Sequence, residues 1–387
     1  MKIAITGTGI ISAAGRGVKE TLATFKSGTG NPGQVSGFST DLSYPVFEVK
    51  NQYVPEHKDG MRTIRLALMA VEEALTEAGL PDKLFSYRVG VCLGTTVASQ
   101  LNDIDFYREY RISGTGPAEP VDRYLNGNLA ESIARKLQVD GPQMTVVNAC
   151  SSGSDAIGVA AAWLKSGLCD IAIAGGADEL NRVPFCGFGS LGILSGSVCR
   201  PFDRERRGLN LGEGAGILVL ESEDTARNRG IEPLLFLSGY GSAGDAYHLT
   251  APHPEGAGLK IAIKSAMADA GINPDDISFV NAHGTGTREN DKVEGSALLK
   301  IFGPEIKFYS TKGFTGHTLG GAGGLEAAFT AIGLKESWIP ASPGFNSVDD
   351  QIAISPVTKI TPLKGSFALS TSLAFGGINS ALIISLE

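Results

Sequence analysis

The pattern of hydrophobic positions repeats itself along the chain. Residues 3–9 and 235–241 are apolar runs that end in glycine, which predicts in each case a buried strand that turns into a loop. Each run precedes a helical stretch, at residues 62–79 and 259–271, that finishes with glycine and a nearby proline. Glycine followed closely by proline is a helix-stop signal. The chain is therefore predicted to form the same strand and helix unit twice.

After each predicted helix comes an apolar run that breaks at a Gly-Thr loop, at residues 89–96 and 277–285. Near-continuous apolar strands that alternate with helices are typical of parallel sheets covered by helices. We predict an α/β protein with two pseudo-symmetric halves, residues 1–230 and 231–387. No linker rich in proline or serine separates them, so we expect one compact unit.

The composition is that of a globular protein. Of 387 residues, 42% are hydrophobic and 19% are charged, and the formal net charge is −8. A net negative chain repels a phosphate backbone, so we expect no nucleic-acid partner. The chain enters a strand-like run at once, and no apolar stretch reaches the roughly 18 to 20 residues of a membrane span. We therefore expect a cytoplasmic protein with no membrane span.

One cysteine has the context of a nucleophile. The five cysteines are Cys92, Cys150, Cys169, Cys186 and Cys199. Their odd number and spacing predict neither a disulfide framework nor a metal site. Cys150 follows a β-branched stretch at residues 145–147 and precedes an apolar stretch at residues 155–166 that predicts a buried helix. At such a junction the helix dipole and unpaired N–H groups favour thiolate, so we expect Cys150 to be nucleophilic near neutral pH.

Two histidines stand in glycine-rich loops that follow β-rich runs. His283 lies in NAHGTGT at residues 281–287, and His317 lies in STKGFTGHTLGG at residues 310–321. Ligand sites form at the carboxyl ends of parallel strands, and glycine lets a substrate approach the backbone closely. The histidines without this context are His57, His248 and His253. A nucleophilic cysteine together with two loop histidines predicts an enzyme site.

Several motifs in order carry a resemblance to a known family. They are NACSSG at residues 148–153, PFDRERRG at 201–208, GEGAG at 212–216, the two histidine loops, and FGGIN at 375–379. Together they resemble the β-ketoacyl-acyl-carrier-protein synthases of the Cys-His-His branch, which elongates acyl chains. The resemblance spans the whole chain. It implies the thiolase-like fold, in which two fused halves form alternating layers of helices and sheets.

The resemblance implies a decarboxylative Claisen condensation. Cys150 is expected to accept an acyl group from an acyl carrier protein as a thioester. Malonyl on the carrier protein then loses carbon dioxide, and His283 and His317 stabilise the enolate oxygen that develops. The backbone N–H groups of Cys150 and Phe375 occupy the positions of an oxyanion hole.

Further residues are assigned by the resemblance alone. Lys312 matches the lysine that positions the histidines, and Glu326 matches its acidic partner. The residues expected to contact the phosphopantetheine arm are Thr250, Thr285 and Thr287. The acyl pocket is expected at Val97 and Phe375. The enzyme is expected to bind no cofactor or metal of its own, since the acyl carrier protein supplies the phosphopantetheine arm.

The implied partners are an acyl carrier protein and a second copy in a homodimer, with a heterodimer as the alternative. Carrier proteins are acidic and this chain is acidic too, so docking requires a local basic patch. The candidate residues for that patch are Lys58, Arg62, Arg65, Arg204, Arg206 and Arg207. For Arg206 an internal salt bridge is the competing interpretation. The aromatic and charged run at residues 101–110 is expected to cap the acyl pocket or to form the dimer seam.

Three departures from the family pattern concern the substrate. Ile378 stands where the family has Thr or Asn, Leu373-Ala374 replaces an aromatic-glycine pair, and the loop at residues 195–200 is short. None of these positions is a reacting residue. Both fatty acid synthesis and a specialised pathway, such as polyene or polyketide assembly, are compatible with this sequence.

Other classes of protein match only part of the sequence. A thiolase needs a second cysteine late in the chain, and none follows Cys199. Initiating and chalcone-type synthases carry asparagine where this chain has His317. A non-catalytic, chain-length-determining subunit of a synthase heterodimer typically lacks the cysteine present at residue 150. A dinucleotide site would need glycine at Ser12 to complete the motif that GTG at residues 7–9 begins.

Overall fold

A computed structural model describes residues 1–54, 61–80, 84–97, 103–125 and 128–387. The strands are β1 (Ile3–Ser12), β2 (Gly15–Arg16), β3 (Val89–Gly94), β4 (Gln143–Val146), β5 (Ile171–Asp178), β6 (Gly214–Ser222), β7 (Leu235–Gly244), β8 (Ile277–Asn281), β9 (Phe308–Tyr309), β10 (Trp338–Ile339), β11 (Thr361–Pro362), β12 (Phe367–Ala374) and β13 (Ile378–Leu386). The helices are α1 (Gly17–Ser27), α2 (Arg62–Glu77), α3 (Ile104–Ser113), α4 (Glu119–Leu125), α5 (Leu129–Leu137), α6 (Ser152–Lys165), α7 (Arg182–Ser190), α8 (Glu223–Asn228), α9 (Ala257–Ala270), α10 (Arg288–Phe302), α11 (Lys312–Thr315) and α12 (Ala322–Glu336). Short 3₁₀ helices lie at Leu84–Ser86, Pro274–Asp276 and Leu319–Gly321.

The strand order of the main sheet repeats from its centre outward. The order is β4-β3-β5-β6-β1-β7-β13-β12-β8-β9, with β2 beside β1, and β10 and β11 form a separate pair. From the centre, β1, β6, β5, β3 and β4 correspond in turn to β7, β13, β12, β8 and β9. The two series meet where residues 3–5 pair antiparallel with residues 235–237. The predicted pseudo-symmetric α/β fold is confirmed, and the boundary at residue 230 stays a prediction.

Strand direction differs in part from the expectation of parallel sheets. β3 runs parallel to β4 and β5, and β8 runs parallel to β9 and β12. Closer to the centre, β6 is antiparallel to β1 and β5, and β13 is antiparallel to β7 and β12. A strand that is buried on both faces is apolar throughout in either direction. The hydrophobic pattern therefore does not distinguish the two arrangements.

Two buried helices, α6 and α12, lie between the two halves of the sheet. The central apolar cluster joins them to side chains from both halves, including Leu218 on β6 and Leu382 on β13. The neighbouring residues on these two strands point to the opposite face of the sheet. There Ile217 of β6 packs with α2 and α5, and Ile383 of β13 packs with α9 and α10. The result is the alternation of helix and sheet layers that the resemblance implied.

Glycines set two features of this packing. A Cβ atom at Gly324 would lie 2.3 Å from the carbonyl oxygen of Gly216, so α12 approaches β6 this closely only with glycine at that position. Gly79 and Gly271, which follow α2 and α9, have φ of +67° and +68°. These are left-handed conformations that end a helix, so the predicted helix stops are confirmed.

None of the described helices is long and apolar enough to cross a membrane.

Candidate active site

Cys150 lies in a tight turn between β4 and α6. The turn begins after Val146, and Ala149 within it has φ of +50°. The backbone N–H of Asn148 donates to Oγ of Ser152 at 2.8 Å, which closes the turn. Cys150 is only 6% exposed. Helix α6 begins three residues earlier than the sequence predicted, so Cys150 stands two residues before the first residue of the helix.

A buried carboxylate holds this turn in place. Asp155, in the first turn of α6, accepts hydrogen bonds from Nδ2 of Asn148 at 2.6 Å and from Oγ of Ser151 at 2.8 Å. Its other oxygen accepts from Oη of Tyr240 at 2.8 Å and from Oγ of Ser380. Tyr240 lies on β7 and Ser380 on β13. Strands of the second half of the sheet therefore fix the cysteine turn of the first half.

His283 and His317 reach Cys150 from the segments that follow β8 and β9. Nε2 of His317 lies 3.1 Å from Sγ of Cys150. The two imidazole rings are nearly perpendicular, at 83°, with centroids 5.1 Å apart. One nitrogen of each ring and the cysteine sulfur all lie within 4.8 Å of one another. Both histidines are 1% exposed. The structure thus brings together the three residues that sequence analysis selected.

Lys312 lies behind His283 and forms a buried ion pair with Glu326. Its Nζ also contacts Nδ1 of His283 at 3.2 Å. An ammonium group only donates, so Nδ1 accepts and the ring proton of His283 is on Nε2. Burial and the charge of Lys312 hold the pKa of His283 well below its usual value, so the ring is neutral. Sulfur and imidazole are also metal ligands, but the ammonium group of Lys312 would repel a metal cation. We therefore interpret Cys150, His283 and His317 as a catalytic group.

The sulfur of Cys150 is a thiol at neutral pH. Burial raises its pKa to about 12, although the charge of Lys312 and the backbone N–H of Phe375 act in the opposite direction. The expectation of a thiolate near neutral pH is therefore wrong, because desolvation of the buried sulfur outweighs the nearby positive groups. Burial, Lys312 and His283 also lower the pKa of His317 well below its usual value. The contact between Cys150 and His317 joins two neutral groups.

Phe375 lies in the turn between β12 and β13. Its backbone N–H bonds to the sulfur of Cys150. Gly376 and Gly377 follow it with φ of +85° and +75°, conformations that favour glycine. The ring of Phe375 stacks on the ring of Phe188, with centroids 5.4 Å apart and an interplanar angle of 14°. Phe375 thus presents a backbone donor next to the cysteine, and its expected part in an oxyanion hole stays a prediction.

A cavity of about 490 Å³ opens onto these groups, and its buried end includes Cys150, His283 and His317. The three threonines expected to contact the phosphopantetheine arm all line it, namely Thr250, Thr285 and Thr287. The larger apolar side chains of its wall are those of Phe188, Leu191, Ile193, Leu209, Leu373 and Phe375. The cavity therefore offers hydroxyl groups and apolar surface around one path to the cysteine.

Val97 is not among the described residues that line this cavity, and its expected place in the acyl pocket stays a prediction. Its side chain is 3% exposed and packs in an apolar cluster with Leu180, Phe185 and Leu209. Its backbone N–H donates to the carboxylate of Asp178 at 3.1 Å. Leu209 belongs to the cluster and also lines the cavity, so Val97 lies behind this part of the wall.

Several of the proposed carrier-docking residues already have partners. Nε of Arg62 donates to Glu213 at 2.9 Å in a partly buried ion pair. Arg206 is buried and pairs with Asp349, which confirms the internal salt bridge as the correct interpretation. Neither residue presents a charge to a docking partner. The basic patch as predicted is therefore wrong for these two positions, because a charge pattern in sequence does not reveal partners that lie far along the chain.

The other four candidates differ from one another. Arg65 is partly buried, and Arg204 pairs at the surface with Asp350 at 2.8 Å. Lys58 lies outside the described residues. Arg207 is exposed, lines the cavity, and has no ion pair within the part of the chain that the structure describes. Arg207 is thus the candidate that faces the path to Cys150.

Two buried carboxylates that sequence analysis did not select shape the site. Glu294 on α10 accepts the backbone N–H groups of His283 and Gly284, each at 2.8 Å, and so fixes the first histidine loop. Asp178, at the end of β5, accepts the backbone N–H of Gly320 at 2.7 Å and so fixes the segment after His317. In the sequence, the only signal for these two residues is an acidic side chain at the end of a strand or early in a helix. Many surface residues have the same signal, so it does not identify a site residue.

A buried cysteine and two histidines, brought together by two equivalent α/β halves, define a condensing enzyme of the thiolase-like fold. Comparison with known proteins agrees. Residues 55–226 match the N-terminal domain of beta-ketoacyl synthases, and residues 235–346 match their C-terminal domain. The chain is 33% identical to 3-oxoacyl-[acyl-carrier-protein] synthase 2 of Staphylococcus aureus (strain MRSA252), across 99% of this chain and 98% of that protein.

Solved structures are similar over the full length as well. The ishigamide ketosynthase/chain length factor has a TM-score of 0.93 at 31% identity and covers 100% of this chain and 99% of that one. A type II PKS acyl-carrier protein in complex with its ketosynthase bound to the hexaketide has a TM-score of 0.89 at 25% identity, over 99% and 98% of the two chains. The chain belongs to the β-ketoacyl synthase family and is an acyltransferase of the condensing type.

Proposed function

We propose that this enzyme carries an acyl group on Cys150 and condenses it with malonyl held on an acyl carrier protein. The observation that carries the proposal is the group of Cys150, His283 and His317, whose sulfur and nitrogens lie within 4.8 Å of one another at the buried end of a cavity. Both halves of the chain contribute to this group, since Cys150 precedes residue 230 and both histidines follow it. A non-catalytic partner subunit has no need of all three.

In the first half-reaction Sγ of Cys150 attacks the thioester carbon of the incoming acyl group. The thiol of the phosphopantetheine arm leaves and takes up the proton that the cysteine loses. The backbone N–H groups of Cys150 and Phe375 stabilise the oxyanion of the tetrahedral intermediate. The bond from the N–H of Phe375 to the sulfur supports this role, because it places the donor beside the reacting atom.

In the second half-reaction malonyl thioester loses carbon dioxide, and the electron pair of the broken bond forms an enolate. Nε2–H of His283 is available to stabilise the enolate oxygen, since Nδ1 is occupied by Lys312. Nε2 of His317 faces the same space. The enolate carbon attacks the thioester on Cys150 and releases the cysteine sulfur as a thiolate, which takes up a proton from solvent and returns to the thiol. Lys312 and Glu326 act by position, because they hold His283 neutral and fixed.

The partner that delivers both acyl groups is, on this proposal, an acyl carrier protein, which supplies the phosphopantetheine arm. The threonine hydroxyls of the cavity, at Thr285 and Thr287, suit the amides of that arm. A structural relative described as a ketosynthase in complex with its acyl-carrier protein supports this partner. The enzyme needs no cofactor of its own for either half-reaction.

We further propose that the enzyme is a dimer that forms along β4. This strand is one of the two outer strands of the main sheet as described, the other being β9, and Met144 and Val147 are 45% and 66% exposed. Helix α3, from the aromatic run predicted to form the dimer seam, has no buried side chain. We propose that a second copy of this chain covers the exposed edge of β4. The relative described as a ketosynthase/chain length factor favours a heterodimer with a similar chain as the second candidate.

Mass spectrometry after incubation with a panel of acyl carrier proteins, saturated and polyunsaturated, tests the proposed function. The wild type should gain the mass of an acyl group at Cys150, and Cys150→Ala should gain none. His283→Ala should retain self-acylation but lose carbon dioxide release by roughly 10²-fold, the scale of a lost oxyanion donor. His317→Ala should lose both, because its ring contacts the sulfur. An adduct on Cys150→Ala, or undiminished carbon dioxide release in both histidine variants, would contradict the proposal.

A further inference from the structure

Two exposed guanidinium groups line the active-site cavity and have no partner among the residues that the structure describes. Arg207 and Arg288 both line the cavity, and both are exposed. Neither has a hydrogen bond or an ion pair from its side chain within the described ranges of the chain. The arginines just before Arg207 are different, since Arg204 and Arg206 are paired with aspartates. Two unpaired arginines on one cavity indicate an anionic ligand.

The two arginines come from segments that are joined to each other. The backbone N–H of Gly208 donates to the carbonyl oxygen of Gly286 at 3.0 Å, so the residue before Gly208 and the residues after Gly286 lie near one another. Arg207 and Arg288 are those residues. Glycine at 286 has φ of +80°, a left-handed conformation that lets its carbonyl meet this N–H.

The segment that carries Arg288 runs from the buried end of the cavity to its mouth. His283 is fully buried, Thr285 is buried, Thr287 is partly buried and Arg288 is exposed. Five residues of extended chain span at most about 18 Å, so the arginine lies within that distance of the catalytic histidine backbone. A ligand with its reactive end at Cys150 therefore has its other end beside Arg288 if it follows this segment to the mouth of the cavity.

Two carboxylates line the same cavity, and neither is paired with these arginines. Asp245 lines the cavity, but its oxygens accept hydrogen bonds from the backbone N–H groups of His253 and Gly258, at 2.9 Å each. Glu289 also lines the cavity and is exposed, and the structure gives neither carboxylate an ion pair with Arg207 or Arg288. The exposed glutamate offsets part of the positive charge of the two arginines. The mouth of the cavity therefore favours a ligand with a small negative charge.

We propose that Arg207 and Arg288 bind the phosphodiester that joins the phosphopantetheine arm to its carrier protein. The identity of this ligand rests on the proposed function. The arm is uncharged along its amide-containing length and carries its single negative charge at the end opposite the thioester. Guanidinium groups recognise phosphate oxygens through paired, charge-assisted hydrogen bonds. The arginines therefore select the phosphorylated arm and set how deeply its sulfur enters.

Calorimetric titration of the wild-type enzyme with 4′-phosphopantetheine and with pantetheine tests the proposal, because these probes differ only in the phosphate. We expect the wild type to prefer the phosphorylated probe by about tenfold or more per guanidinium contact. Arg207→Gln and Arg288→Gln should each reduce this preference about tenfold, and the double variant should abolish it, with the affinity for pantetheine unchanged. Arg204→Gln, an exposed arginine away from the cavity, is the matched control and should bind as the wild type does.

Equal affinity of the wild type for both probes would overturn the proposal. So would a double variant that binds 4′-phosphopantetheine normally but reacts slowly with carrier-bound substrate, since the arginines would then contact acidic side chains of the carrier. The failure of the proposed function has its own readout, because it would appear as no acyl adduct at Cys150 with any donor. Raising the salt concentration to about 1 M, where the Debye length is about 3 Å, should weaken the preference for the phosphorylated probe.

Discussion

Cys150 meets its substrate as a buried thiol, since burial raises its pKa to about 12. Below its pKa, the thiolate fraction of a group rises about tenfold with each pH unit. We therefore expect alkylation of Cys150 by iodoacetamide to accelerate about tenfold per unit from about pH 7 to about pH 10, with no plateau. Peptide mapping by mass spectrometry measures the rate at this residue alone.

The unfolded chain supplies the control for this prediction. In urea the sulfur is solvated, so its alkylation rate should level off near the ordinary thiol pKa of about 8.5. The native protein should react more slowly than the unfolded one throughout, because both burial and the neutral state of the sulfur oppose the reaction. A native rate that is already constant above about pH 7 would mean that a thiolate is present at rest, and would contradict the assignment.

The reacting residues could be predicted because their signals are local. Cys150 stands between a strand and a helix, and each histidine stands beside glycines in one short segment. Residues whose surroundings come from elsewhere in the chain could not be predicted in this way. Arg62 looked like a surface charge, but its partner Glu213 is 151 residues away. The raised pKa of Cys150 depends likewise on burial by the whole fold.

At the scale of secondary-structure elements, Asp178 joins three segments that meet at the site. Its carboxylate accepts from Oγ1 of Thr95 at 2.5 Å and from the backbone N–H of Thr96 at 2.9 Å, after β3. It also accepts from the N–H of Gly320, in the segment that follows His317. Asp178 is itself the last residue of β5 and is fully buried. The ends of two neighbouring strands and the second histidine segment are thus held by one side chain.

We expect Asp178→Asn to destabilise the protein by about 3 kcal/mol or more. The amide keeps the shape of the carboxylate but turns one acceptor oxygen into an NH₂ group that faces N–H donors. Buried donors left without an acceptor cost about 1–3 kcal/mol each. Denaturant unfolding monitored by circular dichroism measures the change in the free energy of unfolding.

Asp275→Asn provides the matched comparison, because Asp275 is exposed and the substitution removes the same charge. It should change stability by less than about 0.5 kcal/mol, as is usual for surface positions. If both variants unfold at the same denaturant concentration as the wild type, the contacts of Asp178 do not contribute to stability as described.

The arrangement of elements could be predicted further than their directions. Glycine and proline mark the ends of α2 and α9, and the repeated order of strand and helix predicts two similar halves. The antiparallel pairing of β6 and β13 with their neighbours left no such signal. Both arrangements bury the same apolar residues, so the choice between them depends on how connections cross the sheet and not on side-chain pattern.

At the scale of the whole molecule, the active site belongs to neither half alone. Cys150 comes from the first half and both histidines come from the second. Asp155 beneath the cysteine is bonded to Tyr240 and Ser380 on strands of the second half. Relative movement of the halves would separate the sulfur from the imidazoles. Two similar halves therefore contribute different residues to one site at the centre of the fold.

The dimer proposed along β4 makes a prediction about the whole assembly. An outer strand with exposed apolar side chains is able to pair with the same strand of a second copy. Replacing Val147 with aspartate places a charge at that edge, next to the equivalent charge of the partner copy. We expect Val147→Asp to sediment as a monomer near the 40.3 kDa of one chain, whereas the wild type sediments at about twice that mass. Analytical ultracentrifugation measures both.

Ile261→Asp is the matched control for this substitution, because Ile261 is 54% exposed on α9, on the outer face of the opposite half. It introduces the same charge in place of a similar side chain, but it should leave the dimer intact. Both variants should fold, since each replaced side chain is largely solvated in the single chain. If Val147→Asp stays dimeric, the copies associate through another surface, and the exposed side chains of α3 become the next region to test. If both variants dissociate, added negative charge on an already acidic chain, and not the position of β4, explains the loss.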